Sequence, residues 1–198
     1  MPDEPAYIRK LKEFTRGDLT YEDLPTLEKY LYSGNDRATA LVLSSVVELA
    51  LESLLQSRMR PNLNSETMRA LFDPDGPIGT FSAKTALAYA VGIIGTTIQK
   101  DLYLIRTIRN EFAHSRKPFD FDTPEVKNVC AFLKTPDIPG VHIPHGYLNT
   151  VPNDMLEAAT DISHGRTRYV TACFAVSEWM LKDKHDLPPP LLDQGSCA

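Results

Sequence analysis

Residues 37–58 of this chain read RATALVLSSVVELALESLLQSR, and that run limits what the molecule can fold into. Wound as a helix, it is apolar around most of its circumference, through Leu41, Leu43, Val46, Val47, Ala50, Leu51, Leu54 and Leu55. Only Ser44, Glu48, Glu52 and Gln56 break the coat, as one polar stripe at i, i+4 spacing. A helix covered this way needs neighbours on most sides. It is expected at the centre of a bundle.

The remaining pattern supplies those neighbours. A short helix is expected over 21–33, with Gly34 just past its end. Asn35-Asp36 then offers a side-chain oxygen to cap the central helix, and Asn64-Ser65-Glu66 starts another short one. Asp73-Pro74-Asp75-Gly76-Pro77 is a turn, rich in residues that set or relax φ, with Gly76, Pro77 and Gly79 as its structural residues. Helices follow over 81–94, 99–114 and 124–133. The segment 135–153 holds four prolines and two glycines and shows no regular element. So long a connection inside a domain is functional or mobile. A last helix over 167–182 buries some combination of Val170, Cys173, Phe174, Val176, Trp179 and Met180. The end of the chain, with Pro188-Pro189-Pro190, reads as a loose tail. No repeat and no convincing strand pair is present. The expected fold is an all-α multi-helix bundle: one domain over 1–187, a core over 21–182 and a tail over 188–198.

A length of 198 residues suits a single domain with a substantial core. The net charge of −5 counts against direct DNA binding, which favours a basic surface. Cys130, Cys173 and Cys197 form an odd, unpaired set, and reduced thiols are expected. The opening MPDEPAYIRKLKEFTR is charged and lacks the apolar region of a secretory signal. The run between Lys84 and Lys100 is too short for a membrane span. A cytoplasmic protein without a membrane segment is expected.

The helix over 99–114 ends in Arg109-Asn110-Glu111-Phe112-Ala113-His114. At about 100° per residue, Ile105, Ile108 and Phe112 share one apolar sector, with Arg109 near its rim. Asn110 and His114 fall on another face with Tyr103. Arg109 and His114 lie about 140° apart, so one straight helix does not aim both at the same atom. They converge only if the helix end unwinds or a second copy lies alongside.

Other constellations are weaker. Glu48 and Glu52 could act as paired acids, yet a solvated or salt-bridged stripe is the commoner use of that spacing. His142-Ile143-Pro144-His145 lacks a cysteine or acidic pattern beside it, so no metal and no cofactor is expected. Asp73 and Asp75 do not complete a calcium loop, because Pro77 and a missing acid break the pattern. Lys84 does not complete a phosphate loop, and Ser82-Ala83-Lys84 has no nucleophile context. Both read as turn and cap chemistry. Arg106, Arg109, Arg116 and Lys117 gather cations around Phe112, Phe119 and Phe121. They form either an RNA or partner contact, doubled in a dimer, or loop decoration with Phe119 and Phe121 pinning the loop.

Arg-x4-His closing a bundle helix, with Asn directly after the arginine, resembles the signature of the HEPN superfamily of all-α domains. The wider run LFDPDGPIGTFSAKTALAYAVGII through DLYLIRTIRNEFAHS, with Phe119 and Phe121 after it, resembles the mannitol operon repressor family. That likeness spans residues 37–133 and continues more weakly over 169–181. The repressor resemblance implies a bacterial, non-enzymatic regulator of transcription that lacks a DNA-reading motif and acts through another regulatory protein. The HEPN resemblance implies a metal-independent ribonuclease or RNA-binding module assembled across a homodimer. In the nuclease, His114 would move a proton, Arg109 would stabilise the phosphorane and Asn110 would orient the scissile group. A purely structural alternative stands beside both. There, His114 meets the negative end of the helix dipole, and Arg109 lays its stem on the apolar face and pairs with Glu48 or Glu52. A homodimer would most economically use the end of the Arg109 helix and the turn at 76–79.

Overall fold

The structure, a computed structural model, describes residues 19–31, 35–59, 63–149, 151 and 156–182. Among them the chain is helical and contains no strand. After a 3-10 turn at Tyr21–Asp23 come α1 (Leu24–Leu31), α2 (Asp36–Ser57), α3 (Ser65–Phe72), α4 (Phe81–Ala90) and α5 (Thr96–His114). These are followed by α6 (Pro124–Ala131), a 3-10 turn at Thr135–Asp137, α7 (His145–Leu148), α8 (Leu156–Thr160) and α9 (Gly165–Lys182).

The apolar coat of α2 places it at the centre, packed most extensively against α9 and then α5. Val47, Ala50, Leu51 and Leu54 are wholly buried. By length and composition α2 would reach across a membrane, but 56% of its most apolar window is buried inside the bundle. Opposite it, α9 presents Val170, Cys173, Phe174, Val176 and Met180, while Trp179 is only half-buried. Tyr169 of α9 is fully buried and donates its hydroxyl to the Ala40 carbonyl, 3.0 Å away on α2. The two free thiols in the described core, Cys130 and Cys173, are buried. Burial pushes the Cys130 thiol up to about 12, against a smaller opposing pull from Arg168. Cys197 lies outside the described residues, as do Gly34 and the tail over 188–198.

Side-chain caps set the helix starts. The carbonyl oxygen of Asn35 accepts from Ala38 N–H at 2.8 Å, that of Asn64 accepts from Thr67 N–H at 2.7 Å, and the Thr80 hydroxyl accepts from Ala83 N–H at 3.1 Å. The helix expected over 81–94 stops at Ala90, because Gly92 turns into the left-handed region (φ +74°) and Ile93 N–H bonds back to Ala88 C=O. The next helix therefore starts earlier than 99, at Thr96. The turn before α4 needs glycine through crowding. A Cβ on Gly79 would sit 2.1 Å from the Asp73 carbonyl oxygen, and one on Gly76 would sit 2.5 Å from that of Leu71.

The segment expected to lack regular structure contains the Thr135–Asp137 turn and the short helix α7, with Thr135 and Tyr147 buried. Long-range polar contacts fix the turn. Fully buried Asp101 of α5 accepts from Lys134 N–H at 3.0 Å and from both Thr135 N–H and Thr135 hydroxyl at 2.6 Å. From the other side, Arg168 of α9 donates to the Leu133 carbonyl and to the Asp137 carboxylate, each at 2.5 Å. Arg168 thereby holds the Asp137 carboxyl below its ordinary value.

Candidate functional site

The end of α5 is a clamped helix terminus. Its inner face buries Leu102, Ile105, Ile108 and Phe112, as the 100° periodicity requires. Phe112 then stacks at 4.5 Å on Phe119 and at 5.0 Å on Phe121, and Phe121 stacks at 5.1 Å on Tyr169. These rings fasten the loop after α5 to the bundle. Asp36, at the start of α2, finishes the clamp: one oxygen accepts from Phe121 N–H at 2.8 Å, the other from Arg166 at 2.6 Å. Arg166 also donates to the Thr39 hydroxyl at 3.0 Å. Gly165 belongs here too, since a Cβ on it would lie 2.7 Å from the Phe121 carbonyl oxygen.

Within this frame the motif residues divide. Arg109 is half-buried and donates to the Asn110 side-chain oxygen at 3.1 Å. Burial pushes the Tyr169 phenol well above its ordinary value, with Cys173 adding to the rise and the Arg109 charge opposing it. His114 is the last residue of α5 and is exposed. The carbonyl at this terminus is capped by Arg37, which donates to Ala113 C=O at 2.7 Å and sets a cation against the negative end of the dipole. His114, the basic residue of the last turn, stands at the same end of the dipole, where the structural alternative put it.

Glu48 and Glu52 do not pair with Arg109. They grip Lys84, whose ammonium lies 2.9 Å from Glu48 and 2.8 Å from Glu52, with only 5% of its side chain exposed. The polar stripe of α2 therefore faces α4, and Lys84 is its counter-ion rather than a cap residue. Burial draws the Lys84 pKa down, but its bonds to Glu52 and Glu48 outweigh that and leave it raised.

Of the basic residues, Arg116 and Lys117 are exposed on the clamped loop, where Lys117 N–H donates to the Ser115 hydroxyl at 3.1 Å. Phe112 and Phe121 are 2% and 0% exposed, so they offer no stacking surface beside those cations. Arg106 is elsewhere, its guanidinium 5.7 Å from the centre of the Tyr103 ring. The exposed aromatics of this region are Tyr103 at 59%, on the face that helical periodicity gave it with Asn110 and His114, and Phe132 at 67%, which no periodicity marked. His142 and His145 are exposed on the rim of an open groove of about 730 Å³ beside Trp179. Among the described residues no three His, Cys, Asp or Glu side chains gather closely enough to hold a metal.

Compared with protein-family models, curated proteins and solved structures, the chain finds no significant match.

Proposed function

We propose that this chain is a repressor-like, non-enzymatic regulator of gene expression of the mannitol operon repressor kind, cytoplasmic, and working through contacts with a second copy and with another regulatory protein. One observation carries the reading. Arg109 is drawn back onto Asn110, while His114 stands exposed at the helix end, about 140° around the axis by helix geometry. A phosphoryl-transfer centre needs a fixed cation and an imidazole aimed at one group. The single protomer is instead built to present a rigid surface: Phe112, Phe119, Phe121 and Asp36 hold the loop that displays Arg116 and Lys117.

The exposure of His114 favours a second reading, a HEPN-type ribonuclease. Its ring is open to a second copy, and a dyad beside the end of α5 would bring two motifs together.

Nascent transcription and message half-lives, measured in cells with and without the protein, separate the two. The regulatory reading expects altered initiation at a small set of promoters, unchanged half-lives, and full complementation by His114→Ala. Lengthened half-lives on deletion, with His114→Ala behaving as the deletion, would establish the nuclease instead.

A further inference from the structure

The outer face of α5, away from the clamped terminus, carries two clefts that share a wall. One, of about 330 Å³, lies between α4 and α5 and is lined by Ser82, Thr85, Gln99 and Arg106. The other, of about 400 Å³, lies between α5 and the end of α6, lined by Thr97, Leu104, Phe132 and Lys134. Lys100 and Tyr103 line both. We infer that this double cleft is a binding site for single-stranded nucleic acid, with a base on either side of Tyr103 and the backbone led by Lys100, Arg106 and Lys134.

The charge pattern is the first support. The chain carries −5 overall, with 26 acidic residues against 21 Lys and Arg, yet no carboxylate lines either cleft. Three cations do. Two acids lie close by and both are engaged: Asp137, 3.8 Å from the Lys134 ammonium, is bound at 2.5 Å by Arg168, and buried Asp101 is held by the Lys134 N–H and by Thr135. A local positive field on an acidic protein selects a polyanion at this face.

The aromatic pattern makes the polyanion a nucleic acid. Tyr103 and Phe132 are the most exposed aromatic side chains among the described residues, and they line the same cleft. Burying either against another apolar group would have stabilised the fold. Left open beside cations, they form stacking platforms, and a base offers its face only when unpaired. Arg106 over the Tyr103 ring steadies that platform. Each cleft is of small-ligand size. Along α5, the rise from Lys100 through Tyr103 to Arg106 is about 9 Å, room for about two successive bases. The hydroxyls of Ser82 and Thr85 and the Gln99 amide add hydrogen-bonding groups for base edges or sugar.

This site is separate from the Arg109–His114 motif and does not rest on the regulatory reading. It is tested by fluorescence anisotropy with labelled oligouridylate and oligothymidylate of about 12 nucleotides, begun at about 20 mM salt. Binding is expected, with a log–log salt slope of about −2 from three cations on a single strand. Tyr103→Ala and Phe132→Ala each weaken it by about fivefold or more without moving the thermal midpoint, because both side chains are exposed. The Arg116→Glu/Lys117→Glu variant binds as wild type does. Polyglutamate of equal charge competes poorly. Absence of binding at low salt overturns the inference. So does binding that ignores both aromatic substitutions and yields equally to polyglutamate, which would mark the face as a site for an acidic polypeptide.

Discussion

Replacing Lys84 by methionine lowers the thermal midpoint by roughly 6–12 °C, the equivalent of about 3 kcal/mol in a domain of this size. The ammonium is enclosed and serves two carboxylates of α2, each about a quarter exposed. Its removal leaves two like charges one helical turn apart, half-desolvated and without a counter-ion. Methionine fills the space, so the loss is electrostatic rather than a cavity. Adding Glu48→Gln and Glu52→Gln to the same variant then restores half or more of the lost stability, since the repulsion goes with the charges. The pH dependence has a definite sign. The Lys84 pKa is raised above its ordinary 10.5, so the stabilisation is complete at neutral pH and is lost only as pH climbs through the raised folded value. Calorimetry on the single and triple variants checks both. A single variant within 1 °C of wild type, by the same scale, would mean the α2–α4 contact is held by apolar packing alone.

Asp101→Ala costs roughly 3–5 kcal/mol and frees the Thr135–Asp137 turn from α5. The carboxylate has no exposure and satisfies Lys134 N–H, Thr135 N–H and the Thr135 hydroxyl. Alanine leaves the two buried Thr135 donors and the part-buried Lys134 N–H without that acceptor, and the buried pair carries most of the desolvation cost. Hydrogen exchange at 134–138 should accelerate by far more than at the α2 core, because Arg168 still holds the other side of the turn. Uniform acceleration across the bundle would show instead that the turn and the core open as one unit. Phe132 and Lys134 border this turn, so the variant also loosens one wall of the cleft on α5.

These pairings explain what the sequence does and does not make legible. Helix α2 could be read from its eight apolar positions around one circumference, which call for neighbours on several sides. The starts of α2 and α3 were equally plain from Asn35 and Asn64, whose caps reach only three residues ahead. The apolar sector of α5 held for the same reason: its period is local. Lys84 is different. A lysine in a short helix reads as solvated until the facing helix is known, and its partners lie 36 positions away for Glu48. Asp101 meets Thr135 across 34 positions, and Asp36 meets Arg166 across 130. No periodicity carries that information. For the aromatics around the motif, the structure agrees with the reading in which Phe119 and Phe121 pin the loop to the bundle. Phe112, Phe119 and Phe121 alternate with cations along the chain, but the loop folds back and stacks them inward. The angular separation of Arg109 and His114 needed only helix geometry, and α5 is helical through His114.

The functional account takes that separation as the mark of a non-catalytic chain, and RNA cleavage tests that reading most directly. End-labelled RNAs of varied sequence are incubated with the purified chain over a protein range wide enough to populate dimers, beside the His114→Ala variant. The account predicts intact RNA at every concentration for both proteins. Cleavage that grows faster than linearly with protein and vanishes in His114→Ala would contradict it, showing that two copies assemble the reaction centre one copy lacks.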